Sequence, residues 1–271
     1  MIYFSVLLSV YKLENPIFLK ASLDSIWINQ SLKPAEIIIV KDGPLTSELD
    51  SVISDFDKIA PLKIITLSEN KGLGNALNIG LNKCSNEIVF RMDTDDISVS
   101  SRFEEQIKFF DKKRDKIAII GSNIEEFNIK LYDLSRTRSV PISSTQINKL
   151  KFYRNPFNHM TVGFLKSVIL AKGGYKHMPG YEDYYLWMRV LKDYEGINLS
   201  KCLVNARVGN DMIKRRQGFV FFENELRFQR QLLLEGLISL PTFVNNFFLR
   251  GLPRLFPKQI LGFIYNKFLR K

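Results

Sequence analysis

Three aspartates stand within four residues of the chain, at Asp93, Asp95 and Asp96. They directly follow the apolar run 87–92, which has the composition of a buried strand. Carboxylates this close repel one another and raise each other's pKa unless a cation neutralises them. Two aspartates at positions i and i+2 of an extended segment can share a hard divalent ion, and such ions also bind phosphate oxygens. A helix cap is the alternative interpretation, but a cap requires only one aspartate, so the triplet favours a metal site.

A second acidic group, Glu182 and Asp183, opens a predicted helix after Gly180. Acids in a first helical turn compensate the helix dipole, which is the alternative to a catalytic role. A carboxylate can also serve as general base toward a hydroxyl, because a hydroxyl is a weak nucleophile at neutral pH. Adjacent helical residues point about 100° apart, so only one of the two acids would face such a hydroxyl.

Hydrophobic periodicity predicts the elements that must position these acids. Over the first 120 residues short β-branched runs alternate with helical patterns, which predicts a parallel, doubly wound sheet. The predicted strands are 4–10, 36–40, 62–67, 87–92 and 117–120, and the predicted helices are 17–28, 45–56, 74–82 and 101–113. Farther along, 161–165 is a predicted strand, and 167–172 and 182–192 are predicted helices. Ligands of such sheets bind beyond the carboxyl ends of the strands.

Four polar motifs fall just after predicted strands, and their order is informative. They are Ser9-Val10-Tyr11, Lys41-Asp42-Gly43, Asn70-Lys71-Gly72-Leu73-Gly74-Asn75 and Asp93-Thr94-Asp95-Asp96, and the motif Gly180-Tyr181-Glu182-Asp183-Tyr184-Tyr185-Leu186-Trp187 follows later. Together they resemble a family 2 glycosyltransferase with the GT-A fold. The resemblance covers about residues 3–216 and implies an α/β protein whose doubly wound, mostly parallel sheet is flanked by helices.

The resemblance also implies roles on the donor side. Ser9, Tyr11 and Asp42 would hold uracil and ribose, although Asp42 also suits the turn before Gly43. Lys71 and Gly72 would lie beside the nucleotide and diphosphate, and Asp93, Thr94 and Asp95 would position the ribose and bind Mn²⁺ or Mg²⁺ on the diphosphate. Arg215 and Arg216 resemble a segment that closes over the diphosphate, unless they only begin a basic surface tail.

On the acceptor side, the family pattern favours Asp183 as general base, with Glu182 orienting it or contacting another hydroxyl. His159 follows Asn155-Pro156 and could point at the acceptor or the diphosphate, although a lone histidine is more often structural. Trp187 lies on the apolar stripe of the same helix and is predicted to be core. Trp187 and His159 are both candidate contacts to the acceptor.

The positive charge is concentrated toward the C-terminus. The net charge is +11, and residues 211–271 contain eleven basic and four acidic residues. The segment 256–270 places Ile260, Leu261, Ile264 and Phe268 on one helical stripe. A basic amphipathic helix suits an anionic membrane surface, and the alternative is a helix packed on its own domain with a solvated basic face. No nucleic-acid partner is expected, because no recognised binding module accompanies the charge.

Targeting features are few. The first ten residues are apolar but lack a basic n-region, and no run approaches the ~18 apolar residues of a spanning helix. The cysteines Cys84 and Cys202 form no disulfide framework. We therefore expect a cytoplasmic protein, peripheral on the inner face of the cell membrane. Its expected parts are a catalytic domain 1–216, with a nucleotide-sugar half 1–120 and an acceptor half 121–216, and a basic helical extension 217–271.

These expectations combine into one function. The chain is predicted to be a metal-dependent inverting glycosyltransferase that moves a hexose, with galactose as the guess, from a UDP-sugar to a polyprenyl-pyrophosphate-linked sugar in bacterial surface polysaccharide assembly. The alternatives are a sugar-nucleotide nucleotidyltransferase, a non-catalytic membrane or nucleic-acid binding module, and a glycosyltransferase with a soluble acceptor. A nucleotidyltransferase would need a glycine-rich loop and a basic pair after the first strand, where residues 9–16 offer only Lys12.

Overall fold

The N-terminal half alternates strands and helices. A computed structural model describes residues 2–110, 116–208 and 218–255 of the 271-residue chain. The strands of this half are β1 (Phe4–Val10), β2 (Glu36–Lys41), β3 (Leu62–Thr66), β4 (Ile88–Arg91) and β5 (Ile97–Ser98), and the helices are α1 (Pro16–Ile26), α2 (Ser47–Asp57), α3 (Leu73–Lys83) and α4 (Arg102–Ile107). The side chain of Asn15 caps α1 by accepting hydrogen bonds from the N–H groups of Ile17 and Phe18, and Pro16 occupies the first turn.

The second half is more irregular. It contains β6 (Ile117–Phe127), β7 (Arg136–Arg138), α5 (Ser144–Leu150), β8 (Gly163–Leu165), α6 (Lys166–Ala171), α7 (Glu182–Val190), β9 (Glu195–Arg207), α8 (Phe219–Leu234) and α9 (Leu240–Asn246). Short 3₁₀ turns cover Lys108–Phe110, His159–Thr161 and Leu252–Leu255, and a π-helical turn covers Phe247–Gly251. None of the helices in the described ranges is long and apolar enough to cross a membrane.

One mixed sheet joins the two halves. Its strand order is β3-β2-β1-β4-β8-β6-β9-β5, with β7 on β6. The first four strands of this order are parallel to one another, and β8 is antiparallel to both β4 and β6. Because β8 runs against β4, the turn His159–Thr161 that precedes β8 lies at the carboxyl end of β4, as the bond from the Arg91 N–H to the Val162 carbonyl shows (2.9 Å).

The core lies on the two faces of this sheet, because side chains of the buried strands alternate between faces. Val6 and Leu8 join the cluster beneath α1, α2 and α4, whereas Leu7 joins the cluster beneath α3, α6 and α7. A third cluster joins α7 to α8 through side chains that include Tyr181, Tyr184 and Phe228. The helices at 219–246 therefore pack against α7 in the second half of the chain.

The structure corrects several predicted bounds. The strand predicted at 117–120 continues to Phe127, and the helix predicted over 101–113 is α-helical only from Arg102 to Ile107. Strand β9 is absent from the sequence prediction, because polar residues such as Asn198 and Lys201 interrupt its apolar pattern. The predicted amphipathic helix 256–270, and Arg215 and Arg216, lie outside the described residues.

Candidate active site

One end of the candidate site is formed where β1 and β2 end. Ser9 is half-buried and Tyr11 is exposed, and both lie at the edge of the sheet where Asp42 follows β2. Asp42 is buried, and its carboxylate accepts hydrogen bonds from the N–H groups of Lys71 (2.7 Å) and Gly72 (3.1 Å). Asp42 thus holds the loop that carries Lys71 at this edge of the sheet, and its contact with uracil stays a prediction.

Asp93 is the centre of the polar cluster after β4. Its Oδ1 lies 2.7 Å from Arg91 Nη2, and its Oδ2 lies 2.8 Å from His159 Nε2. Burial opposes ionisation of Asp93, yet the charges of Arg91 and His159 hold its pKa below the ordinary value. Asp93 therefore remains a carboxylate with a cation against one oxygen and an imidazole against the other.

The rest of the aspartate motif divides into two environments. Asp95 is half-buried, and burial together with the charge of Asp93 raises its pKa. Asp96 is buried and accepts a hydrogen bond from the N–H of Arg207 at the end of β9 (2.8 Å). Asp96 therefore ties the motif to the end of β9, a role that the sequence did not reveal.

Two further charged residues, Glu14 and Arg207, lie beside this motif. The sequence contained no signal strong enough to predict that they belong to the site. Glu14 lies in the turn after β1 and hydrogen-bonds to Thr94, and burial with the charges of Asp95 and Asp93 raises its pKa. Arg207 donates from Nε to the Asp95 carbonyl (3.2 Å) and packs over the ring of Phe18, 3.7 Å from its centroid. Glu14 and Arg207 are both distant from the aspartate motif in the sequence, so only the fold brings them beside it.

Asp183 lies in the first turn of α7 and faces His159 from the other side. Its Oδ2 accepts a hydrogen bond from the Asn155 side-chain amide (2.8 Å) and lies 3.6 Å from His159 Nδ1. Asp183 is half-buried, so one side of its carboxylate meets solvent. The predicted general base and the predicted metal-binding motif are therefore both next to the imidazole ring of His159. Asn155 is a further site residue, which the sequence suggested only as a neighbour of His159.

Glu182 points to a different part of the site. Its Cγ would lie 3.4 Å from a Cβ placed on Gly74, so Glu182 packs over the start of α3, beside the loop of Lys71. Burial and the charge of Asp183 raise the pKa of Glu182. As expected for adjacent helical residues, the two acids do not face the same point.

Trp187 requires a correction. It is wholly buried, and its ring packs in the core against Phe157, Phe164 and Tyr175. A side chain without exposed surface cannot contact an acceptor, so the candidate acceptor contact at Trp187 is wrong and its prediction as core is confirmed. Its indole ring, on the helix turn after Asp183, fixes α7 against the sheet.

The metal prediction can be tested against the donors present. In the ranges 2–110, 116–208 and 218–255 no three His, Cys, Asp or Glu side chains are grouped to hold a metal ion. Mg²⁺ sites, however, often use one or two carboxylates together with substrate phosphates. The half-buried Asp95, whose pKa is raised by burial and by the charge of Asp93, fits this kind of site, whereas both oxygens of Asp93 already have partners.

Comparisons with known proteins show which family the chain resembles. The family profile "Glycosyl transferase family 2" matches residues 5–173. An Escherichia coli protein described as "UDP-Gal:alpha-D-GlcNAc-diphosphoundecaprenol beta-1,3-galactosyltransferase" is 39% identical over 269 residues, covering 99% of this chain and 97% of the relative. The "Amylovoran biosynthesis glycosyltransferase AmsE" of Erwinia amylovora is 35% identical over 268 residues, covering 97% of this chain and 98% of the relative.

A solved structure supports the fold. The crystal structure of S. aureus TarS 1–349 in complex with UDP-GlcNAc matches with a TM-score of 0.68 and 18% identity, covering 91% of this chain and 73% of that one. Since the family profile covers more than half of the chain and the relatives align over nearly all of it, the protein belongs to glycosyl transferase family 2 and is a glycosyltransferase with the GT-A fold.

Proposed function

We propose that this protein is a metal-dependent, inverting glycosyltransferase of bacterial surface polysaccharide assembly. Its proposed donor is a UDP-sugar, with UDP-galactose first, and its proposed acceptor is a sugar linked to polyprenyl diphosphate. The activity for which the Escherichia coli relative is named supports both substrates. The mechanism rests on one observation: Asp183 and Asp93 lie on opposite nitrogens of His159, at 3.6 Å and 2.8 Å.

Asp183 is the proposed general base. Asn155 holds one carboxylate oxygen at 2.8 Å and so orients the anion, while the half-buried position leaves room for an acceptor hydroxyl. As the acceptor oxygen bonds to the anomeric carbon, the bond to the UDP oxygen breaks and the hydroxyl proton passes to Asp183. Attack on the face opposite UDP inverts the anomeric centre. Glu182, which packs over Gly74, is assigned to a sugar hydroxyl rather than to this proton.

Asp95 is proposed to hold the divalent ion, with Asp93 as the neighbouring carboxylate of the motif. When bound, Mn²⁺ or Mg²⁺ would neutralise charge that develops on the departing diphosphate. Arg91 and His159 keep Asp93 ionised and fixed, so this carboxylate presents the same charge before and after the donor binds. Glu14 and Arg207 set the positions of Thr94 and the Asp95 backbone.

The nucleotide is proposed to lie across the ends of β1 and β2. Ser9, Tyr11 and Asp42 are at that edge, and Asp42 shapes the loop that would bring the Lys71 ammonium and the Gly72 backbone to the diphosphate. Arg215 and Arg216 remain proposed diphosphate contacts from a part of the chain outside the described residues.

We also propose peripheral binding to the inner face of the cell membrane. A lipid-linked acceptor is confined to a bilayer, and eleven of the basic residues fall between 211 and 271. Phe219, Phe248 and Leu249 are more than half exposed in the described part of this region. Aromatic and aliphatic side chains beside basic ones favour the headgroup region of anionic membranes.

The experiment is a transfer assay with a panel of radiolabelled UDP-sugars and a synthetic polyprenyl-diphosphate-GlcNAc acceptor, with and without EDTA. Asp183→Asn is compared with Asp193→Asn, whose parent is an exposed aspartate paired with Lys172. Loss of a general base lowers the rate by about 10²–10⁴-fold, so Asp183→Asn is expected to be nearly inactive and Asp193→Asn close to wild type. Turnover that survives both EDTA and Asp183→Asn would overturn the proposal.

A further inference from the structure

The helices after residue 217 contain a buried charge cluster that the mechanism has not used. Glu225, on α8, is 1% exposed. Its Oε1 lies 3.1 Å from Arg250 Nε, and its Oε2 lies 3.0 Å from Arg254 Nη2. Oε2 also accepts a hydrogen bond from the Tyr181 hydroxyl (2.7 Å), and Oε1 accepts one from the Gln229 amide (2.9 Å). A carboxylate is tolerated in the protein interior only with such partners, so the cluster around Glu225 is an integral part of the fold.

The cluster reaches the first turn of α7. Tyr181 is the residue directly before Glu182 and two before Asp183, and its ring stacks on Phe228 of α8 with centroids 4.7 Å apart and planes 9° apart. The stacked ring and the hydroxyl bond to Glu225 together fix where α7 begins. The position of Asp183 follows from that start, because the helix is rigid over one turn.

The same cluster holds the segment that carries Asn155. Arg250 Nη1 donates to the Tyr153 carbonyl (2.7 Å), and the Asn246 amide donates to the Phe152 carbonyl (2.8 Å) and to the Gln229 side chain (3.0 Å). From the α7 side, the Tyr184 hydroxyl donates to the Lys151 carbonyl (2.6 Å). Three successive carbonyls just before Asn155 are therefore bound by this network.

We propose that Glu225 is a positioning residue for catalysis: through Tyr181 and Arg250 it sets the distance between Asp183 and the Asn155 amide that orients it. The C-terminal helices thus complete the acceptor side of the active site instead of serving only as an extension. This inference rests on the proposed role of Asp183 as general base. The donor side lies on β1, β2, α3 and the aspartate motif, which the Glu225 contacts named above do not touch.

The test compares Tyr181→Phe with Tyr185→Phe. Both tyrosines are buried on α7, and each donates its hydroxyl to a glutamate of the C-terminal helices, Tyr181 to Glu225 and Tyr185 to Glu235. Each variant removes one hydroxyl and leaves the ring. For Tyr181→Phe we expect kcat to fall about tenfold, since small displacements of catalytic groups are costly, with an unchanged KM for the UDP-sugar. For Tyr185→Phe we expect kcat within about twofold of wild type, as for a side chain outside the reacting groups.

Three further measurements make the outcome decisive. UDP affinity by calorimetry should be equal in wild type and both variants, and the two variants should lose similar thermal stability. The acidic limb of the kcat/KM pH profile should move in Tyr181→Phe only, because only that variant alters the surroundings of Asp183. If Tyr181→Phe matches Tyr185→Phe in kcat and pH profile, Glu225 is merely structural and the inference is wrong. Asp183→Asn is assayed alongside: if that variant is active, the proposed base itself fails, whatever Tyr181→Phe does.

Discussion

Asp93 and Asp183, ninety positions apart in the sequence, face the two nitrogens of one imidazole ring. Asp93 follows β4 in the N-terminal half of the chain, whereas Asp183 lies in the first turn of α7 in the second half. His159 stands between them because β8 is inserted antiparallel between β4 and β6. One side chain therefore connects the proposed diphosphate-binding motif to the proposed general base.

We expect His159→Gln to lower kcat by about tenfold or more, because both carboxylates lose a fixed neighbour and small misplacements of catalytic groups cost rate steeply. The measurement is steady-state transfer to the lipid-linked acceptor. The control is His177→Gln, since His177 is the second histidine of the chain and lies exposed in a loop. Equal activities for the two variants would show that His159 does not couple the two carboxylates.

Much of the nucleotide half was predictable because its local signals agree with its tertiary environment. The predicted strand 4–10 matches β1, and Asn15-Pro16 correctly marked the start of α1. Short β-branched runs between helical patterns are sufficient for β1, β2 and β4, which are buried on both faces, and also identified β3, which is largely exposed.

The acceptor half was predictable only in part, for physical reasons. Strand β9 is placed by its pairing with β6. Lys201 of this strand is exposed, whereas the buried Asn198 amide donates to the carbonyls of Pro141 and Pro156, contacts that only the fold supplies. The partners of the aspartate motif come from other elements of the fold. His159 was a candidate from its residue type, whereas Arg207 and Glu14 were not predicted, because no spacing in the sequence links them to the motif. From its residue type, Trp187 was predicted both as a core residue and as a candidate acceptor contact. Its complete burial in the structure shows that it belongs to the core.

Asp95→Asn should weaken Mn²⁺ binding in the presence of UDP by about tenfold or more, because it removes the half-buried carboxylate with the raised pKa. The measurement is a Mn²⁺ titration followed by electron paramagnetic resonance, which is independent of turnover. Asp55→Asn is the control, since Asp55 is exposed and pairs only with Lys58 on α2. Unchanged Mn²⁺ affinity in Asp95→Asn would place the ion elsewhere.

Glu225 should make stability depend on pH. Burial opposes its ionisation, but Arg250 and Arg254 lower its pKa below that of an unfolded glutamate. A lowered folded pKa stabilises the protein above the unfolded value of about 4.3, and that stabilisation is lost as the pH falls through the folded pKa. Glu225→Gln should cost about 3 kcal/mol at pH 7 and progressively less below pH ~4.

The measurement for Glu225 is urea unfolding of wild type and Glu225→Gln between pH 7 and pH 3. Glu223→Gln, which alters an exposed residue of the same helix, should change the free energy of unfolding by less than ~0.5 kcal/mol at each pH. A gap between wild type and Glu225→Gln that stays constant down to pH 3 would contradict the lowered pKa.

Gly43 should control the donor loop through its backbone. Its φ is +86°, and a Cβ at this position would lie 2.7 Å from the backbone nitrogen of Asn70. Gly43→Ala would therefore push away the segment that carries Lys71, in addition to the ~1–2 kcal/mol cost of a side chain in a left-handed conformation. We expect KM for the UDP-sugar to rise about tenfold, since misplaced binding groups lose affinity steeply.

The matched control for Gly43 is Gly236→Ala, after α8. Gly236 has φ +65° but no neighbour within 4 Å of a built Cβ, so it shares the backbone cost without the clash. Both variants should lose stability in urea unfolding, with the larger loss in Gly43→Ala, yet only Gly43→Ala should change KM for the donor. If both variants bind the UDP-sugar as wild type does, the contact between Gly43 and Asn70 does not set the donor loop, and Lys71 must be positioned by Asp42 alone.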